Sequence, residues 1–321
     1  MNAKTVPSWK TRLWAVVKYE LLWNVRKKKF LGMVVVAFAL ATLSLVLPIV
    51  LSNVTGQPLT KNPDYVVNSG IGIGGLGMFL FAVVTVMNSI SGEFESGTIV
   101  PLLTKPVSRT MVFLGKLLAA FITLLLTYAV LFLYMTVGGA IIYGPQNNLH
   151  LVPLSLLGSI LSTLVWIAIV LTIGSVSKSS LMAALGTFGI FIALTIGASI
   201  ISVFSEQAWV LNYLPGNGAT GYIKGVASDN PYAPGLAIST GTDSIAANIV
   251  NYALYPSANV TYVKINVFAA GQPSSISELY TELYAESLSF VLIRSIGVAA
   301  VYTLAFLFLS WYAFKRAQVL E

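Results

Sequence analysis

The sequence predicts an all-α polytopic membrane protein. The expected architecture is six transmembrane helices, an N-terminal interfacial helix, a short amphipathic helix on the inner face after the second span, and an extracellular region before the sixth. Three observations predict it. Of 321 residues, 56% are hydrophobic and 9% charged, whereas an ordinary soluble domain is about 25% charged. The apolar residues fall in six runs, each long enough to supply the roughly 20 helical residues that cross a hydrocarbon core. The basic residues lie at one end, with eight of the 18 Lys and Arg before residue 30, a pattern that keeps a segment on the inner side of a membrane.

Residues 1–29 read as a cytosolic elbow. Trp9, Leu13, Val16 and Val17 fall on one helical arc, although Glu20 interrupts its apolar side. Trp9, Trp14 and Trp23 suit headgroup depth. Lys27, Lys28 and Lys29 with Arg26 then anchor the first span. The long basic stretch, with no small-residue cleavage site after the apolar run, argues against a signal peptide.

Residues 30–204 hold five spans. The first is Phe30–Leu51, with Pro48 near its outer end, where a kink is tolerable. The second is Gly70–Ser91, and Gly70, Gly74 and Gly77 suggest a small-residue packing face. Between Glu93 and Lys116 lies a polar island with two acids, Glu93 and Glu95, and three bases, Lys105, Arg109 and Lys116. Gly97, Pro101 and Pro106 limit helix within it. Its expected shape is a helix end, a turn, a short amphipathic helix with Ile99, Leu102 and Leu103 turned one way, a Pro-Val-Ser turn, and a new helix. The third span begins near Met111 and runs to Tyr143, longer than a membrane is thick. The fourth is Leu151–Ser175, the fifth Leu181–Phe204, and Ser175–Ser180 links them tightly.

Residues 205–287 form the largest non-membrane part, with six acids and two Lys. The contrast with the basic N-terminus places this region outside and both termini inside. Leu211–Gly225 and Val260–Gly271 fit short strands or short helices equally. Two sequons, at Asn53 and Asn259, mark possible glycosylation on that face. Ser275 to Glu278 fits a capping box, and Glu278, Glu282, Glu286, Phe290 and Arg294 form an i+4 stripe that predicts an amphipathic helix leading into the sixth span. Residues 288–321 hold that span, Ser295–Phe314, and a basic tail. Arg294 then sits at the outer edge, either as an interfacial anchor or paired with Glu286 as an outer gate or lipid headgroup contact.

The composition excludes several functions. A charge of +7 clustered beside the first span is an orientation signal, so no nucleic-acid partner is expected. With no cysteine and a single histidine, His150, disulfides, thiol catalysis and Cys- or His-built metal sites are not expected. No phosphate-cradling Gly-x-x-x-x-Gly-Lys-Ser/Thr occurs, because Gly115-Lys116 is followed by Leu, so the chain is expected not to hydrolyse ATP itself. The span cores lack acids, which disfavours a proton relay. Thr85, Asn88, Thr123, Thr127 and Thr172 are the polar groups available to line a pathway, though such hydroxyls mostly bond their own helix.

Glu-x-Glu-x-Gly-Thr at Glu93–Thr98, then Leu102-Leu103-x-x-Pro106-Val-Ser-Arg109 and Gly115-Lys116, resembles the cytosolic loop after the second transmembrane helix of ABC exporter permeases of the type-2 superfamily. The resemblance implies that the loop 92–116 forms a coupling helix docked on a separate ABC ATPase subunit. Glu93, Glu95, Gly97, Thr98, Leu102, Leu103, Pro106, Arg109 and Lys116 would be the ATPase-coupling residues. It also implies a second, smaller ATPase contact at Ser175–Ser180. ATP and Mg²⁺ would be bound by the partner, with no cofactor in this chain. The chain would pair with a second permease chain, in a homodimer or heterodimer, in the plasma membrane of a prokaryote, in contact with lipid. The expected function is export of an amphiphilic or hydrophobic substrate. The alternatives are an ATPase-driven mechanotransmitter without transport, an ion-driven transporter or channel, and a membrane-embedded hydrolase using His150.

Overall fold

The computed structural model describes residues 8–26, 28–56, 59, 63–98, 107–206, 208–226, 233–265 and 280–317. Six helical segments are long and apolar enough to cross a membrane: 28–54, 74–95, 109–143, 149–177, 180–202 and 288–316. The membrane part is therefore all-α, as the apolar runs require: a bilayer offers no partners to backbone polar groups, and a helix satisfies its own.

The helix α1 spans Trp9–Arg26 and α2 spans Lys28–Thr55. Ala37, Ala41 and Leu45 of α2 are buried at i, i+4 and i+8, while Val35, Leu43 and Val50 stay exposed. Pro48 lies inside this helix and cannot donate to the Ser44 carbonyl one turn back. The Tyr65 hydroxyl donates to that carbonyl at 2.5 Å, and Tyr143 donates to the neighbouring Leu45 carbonyl at 2.8 Å. The two tyrosine rings stack with centroids 4.0 Å apart. A proline break is thus sealed by two hydroxyls from later elements.

Tyr65 opens a short helix, α3 (Tyr65–Ser69), and the second span proper is α4 (Gly74–Val86). The run Gly70–Gly74 differs from the small-residue helical face expected there. Gly70, Gly72 and Gly74 all have positive φ, between 58° and 69°, so the helix begins only at Gly74 and the run before it is non-helical. A Cβ on Gly72 would lie 2.8 Å from Met135 Sδ and 3.3 Å from the Ala41 backbone. Only glycine combines that backbone with that approach. Ile71 and Ile73 are buried, so protein surrounds this irregular backbone.

After α4 come the short α5 (Ser91–Glu95), then α6 (Arg109–Tyr143), α7 (Val152–Ser177), α8 (Ser180–Phe204) and, last in the chain, α10 (Leu288–Arg316). At about 1.5 Å per residue, the 35 residues of α6 reach some 50 Å, well beyond a 30 Å hydrocarbon core. The central helix is α7: Val165, Trp166, Ile167, Ala168 and Val170 are all fully buried. It packs on α4, α8 and α10. By contrast α8 exposes Leu181, Leu185, Phe188, Ile196 and Ile200.

The region before α10 contains a four-stranded antiparallel sheet of order β2-β1-β3-β4: β1 Thr220–Lys224, β2 Gly235–Ser239, β3 Asn259–Ile265 and β4 Tyr280–Ser287. The amphipathic helix expected to lead into the sixth span is therefore, from Tyr280 to Ser287, a strand. A spacing of four is a multiple of the strand period and lies close to one helical turn, so Tyr280/Tyr284 and Glu282/Glu286 fit both. The cross-strand partners decide: Tyr284 stacks on Tyr262 at 4.5 Å and Tyr280 meets Tyr222 at 5.5 Å, the aromatic pairing that stabilises a sheet. Ser275 and Glu278, the expected capping box, lie outside the described residues. Ser287 caps α10 instead, accepting from the Phe290 N–H at 3.4 Å, so the last span starts seven residues before Ser295.

The same region sends a segment between the spans. A 3-10 turn, Thr242–Ser244, and the helix α9 (Ile245–Leu254) pack against α7. Ser162 donates to the Thr242 carbonyl at 2.6 Å and Trp166 Nε1 to Asp243 Oδ1 at 3.0 Å. Gly158 makes room, since a Cβ there would lie 2.7 Å from the Ala246 backbone. Ser162 is ten residues into α7, about 15 Å along its axis.

Candidate functional site

One end of the bundle collects the two ends of the polar island and the helices around it. Lys116, in the second turn of α6, is 4% exposed. Its Nζ lies 2.6 Å from Glu20 Oε1 and 2.7 Å from Glu93 Oε1. Glu20 is the acid that interrupted the apolar arc of α1. The arc faces α6, and Glu20 is buried in that contact because a cation waits there. Gly115 permits the approach, since a Cβ on it would lie 2.6 Å from Val16 Cγ1. An ammonium has three donors and repays its desolvation only with partners of opposite charge at this range.

Glu95 reaches the opposite way. Its carboxylate accepts from the Ser180 N–H at 2.8 Å, the Ser179 hydroxyl at 3.0 Å and the Ser180 hydroxyl. It therefore sits on the N-terminus of α8, where free N–H groups favour an anion. The link before α8 turns at Lys178, which takes φ 55° and returns its N–H to the Gly174 carbonyl. Lys178 Nζ lies 5.8 Å above the Phe94 ring, and Phe94 meets Phe314 of α10 edge-on at 6.1 Å.

Arg109 closes a third connection. Its Nη1 donates to the carbonyls of Ala317 at 2.6 Å, Lys315 at 3.0 Å and Phe314 at 3.4 Å. A guanidinium thus caps the C-terminus of α10, where carbonyls lack helical partners and the dipole favours a cation. Ser108 caps α6 by accepting from the Met111 N–H at 3.1 Å, and Trp311 Nε1 donates to Thr110 Oγ1 at 3.2 Å.

Of the expected coupling residues, the structure brings Glu93 and Lys116 into one cluster and sends Glu95 and Arg109 to two other helices. Gly97 ends α5 with φ 67°, and Thr98 Oγ1 lies 2.9 Å from Ser96 Oγ. Leu102, Leu103 and Pro106, with the expected amphipathic helix, lie outside the described residues. Of the expected pathway hydroxyls, Thr123 and Thr127 bond their own helix carbonyls, and Thr172 bonds both Ala168 and Phe306 carbonyls.

At the far end Arg294 is buried within the protein. Its Nη1 lies 2.8 Å from Glu286 Oε2, and its Nη2 donates to the Tyr262 hydroxyl at 2.6 Å. Asn212 Nδ2 also donates to that hydroxyl at 3.2 Å, and Asn212 Oδ1 accepts from the Thr240 hydroxyl at 2.5 Å and the Ala219 N–H at 3.0 Å. The paired reading of Arg294 is therefore the geometry found, with the pair joining α10 to the sheet. Asn53 is exposed in the last turn of α2, and Asn259 begins β3 opposite Ser287.

Sequence reasoning missed Glu20 and Asp243 as site residues. The broken arc of α1 was the available signal for the first. Nothing local marked the second, one of six acids in a polar region. Among the described residues no group of three or more His, Cys, Asp or Glu is placed to hold a metal ion. Through Glu93, Glu95, Arg109 and Lys116, the site connects the middle of α1 with the ends of α6, α8 and α10. The sequence profile of the ABC-2 family transporter proteins matches residues 14–319. A search of curated proteins found no match.

Proposed function

Because the chain belongs to the ABC-2 family of transporter proteins, a membrane transport component, we propose that it is the permease subunit of an ABC exporter driven by a separate ATPase. The segment 93–116 is the surface on which that ATPase pushes. The observation that carries this reading is the three-way attachment of its ends: Glu93 to α1 and α6 through Lys116, Glu95 to α8, and Arg109 to α10. A displacement of the segment is passed to four helices by charged contacts, without an ATP site in this chain. Both termini and the segment 93–116 face the cytosol, the sheet faces out, and the apolar faces of α2 and α8 meet lipid or a second permease chain in the plasma membrane. The substrate is amphiphilic or hydrophobic.

The absence of cysteine makes the topology directly testable. A membrane-impermeant maleimide should label Ser257→Cys in intact cells, and Thr98→Cys only after permeabilisation. Labelling of Thr98→Cys from outside overturns the reading. Affinity purification of the full chain from its native membrane should recover an ABC ATPase, and a chain that comes out alone counts against it.

A second reading keeps the motor and drops the cargo: the ATPase would move the sheet to regulate a partner. The direct run of β4 into α10 at Ser287 favours it. Transport by the reconstituted complex separates the two.

A further inference from the structure

Beneath the sheet, between α4, α7 and the outer half of α8, lies a cavity of about 480 Å³, within the range that holds small-molecule ligands. Its walls combine apolar and aromatic residues, including Leu76, Trp166, Phe191 and Leu194, with the hydroxyls of Thr195, Ser199 and Ser202. Its polar end is made by two interlocked loops, 214–218 and 240–244. Gly241 donates to the Asn217 carbonyl at 2.8 Å, Asp243 N–H to the Gly216 carbonyl at 3.0 Å, and Gly216 N–H to Thr242 Oγ1 at 2.9 Å. A Cβ on Gly218 would lie 2.3 Å from the Gly241 nitrogen, so the crossing requires glycine. These contacts hold Asp243 at the cavity in one position.

Asp243 is 8% exposed, and among the described residues no Lys, Arg or His lines the cavity with it. Trp166 Nε1 supplies a hydrogen bond to Oδ1 at 3.0 Å, and the Thr242 side chain also favours the charged form. Oδ2 faces the first turn of α4, where a Cβ on Gly75 would lie 3.0 Å away. Hydrogen bonds and a helix N-terminus moderate a buried negative charge but leave it without a counter-ion. Phe191 stacks on Phe79 at 4.3 Å and meets Trp166 edge to face at 5.3 Å, which fixes an aromatic wall beside the carboxylate.

We propose that this cavity binds an amphiphilic organic cation, with the Asp243 carboxylate as counter-ion to its charged head and Phe191 and Leu194 against its apolar body. The inference rests on the transport reading only in making that ligand the substrate class; the binding itself belongs to this chain. A carboxylate held inside a bundle selects charge because a neutral or anionic ligand of the same shape leaves it unpaired.

Equilibrium binding of tetraphenylphosphonium to the purified full chain in detergent at pH 8, where the carboxyl is ionised, tests it, with tetraphenylborate as the same shape of opposite charge. The cation binds and the anion does not. Asp243→Asn, which keeps an acceptor for Trp166, weakens the cation at least tenfold and reduces the discrimination. Ser199→Trp, at an exposed position on the cavity wall, blocks the site while leaving Asp243 in place. Circular dichroism and gel filtration establish that each variant is folded. Absence of cation binding by the folded wild-type chain, equal affinity in Asp243→Asn, or equal binding of the anion overturns the assignment. None of these outcomes depends on whether an ATPase accompanies the chain.

Discussion

The Lys116 ammonium lies 2.6 Å from Glu20, ninety-six positions earlier, and 2.7 Å from Glu93, and the side chains of Lys116 and Glu20 are nearly closed to solvent. One cation therefore holds the N-terminal helix and the start of the polar island against α6. Removing one member of a buried ion cluster costs about 3–5 kcal/mol, mainly because the remaining charge is stranded. Lys116→Met should destabilise by that order, seen as a lower unfolding midpoint in detergent. Adding Glu20→Gln and Glu93→Gln should restore most of the loss. A triple variant no better than Lys116→Met would mean that the charges are not what holds α1.

Glu95 and Arg109 carry no catalytic chemistry in this reading; they attach the island to α8 and α10. Glu95→Ala and Arg109→Ala should leave assembly with the ATPase intact. Each should lower transport per ATP hydrolysed severalfold in the reconstituted complex. Arg109→Lys should rescue part of the coupling, since all three carbonyls are met by the one nitrogen Nη1 and an ammonium also offers three donors. Unchanged coupling in both alanine variants removes them from the site.

Tyr65 and Pro48 form a compensating pair. Tyr65→Phe leaves the Ser44 carbonyl without its donor; a fully buried unsatisfied group costs about 1–3 kcal/mol, an upper bound at this half-buried position. Pro48→Ala supplies the missing N–H to the same carbonyl. Tyr65→Phe should therefore cost clearly less in a Pro48→Ala background. Equal costs in the two backgrounds, in a double-mutant cycle of chemical unfolding, would break the link between break and seal.

Asp243 makes stability pH-dependent. Burial, opposed by hydrogen bonds from Trp166 and Thr242, raises its carboxyl from 3.8 to about 7. The other titratable group that senses it is the buried Tyr128 phenol. Between those two pH values the folded chain keeps a proton that the unfolded chain has released. The folded state thus binds more protons, and this group's contribution falls as pH rises through the window, then stays flat above it. Asp243→Asn should remove that slope and be the more stable variant at pH 8. An unaltered slope in unfolding followed by tryptophan fluorescence would assign it to another group.

The membrane part was legible because hydropathy is a local property. Any run of about 20 apolar residues must be helical in lipid, whatever its neighbours, so span number and approximate ends followed from the chain. Span ends at Gly70 and Ser295 did not follow, because both turned on partners: Met135 and Ala41 beside Gly72, and β3 beside β4. The family resemblance was equally legible in Glu93–Lys116, a contiguous motif.

What the chain alone determined, then, is six helices long and apolar enough to cross a membrane, a polar island between the second and third, and a basic stretch before the first. Only the tertiary structure decided that Glu20 meets Lys116, that Arg109 caps the last helix, that Tyr280–Ser287 is a strand, and that Asp243 reaches Trp166. Each of these joins residues dozens to hundreds of positions apart. Their energies come from desolvated charge and hydrogen bonding at contact distance, quantities that exist only once the helices have packed.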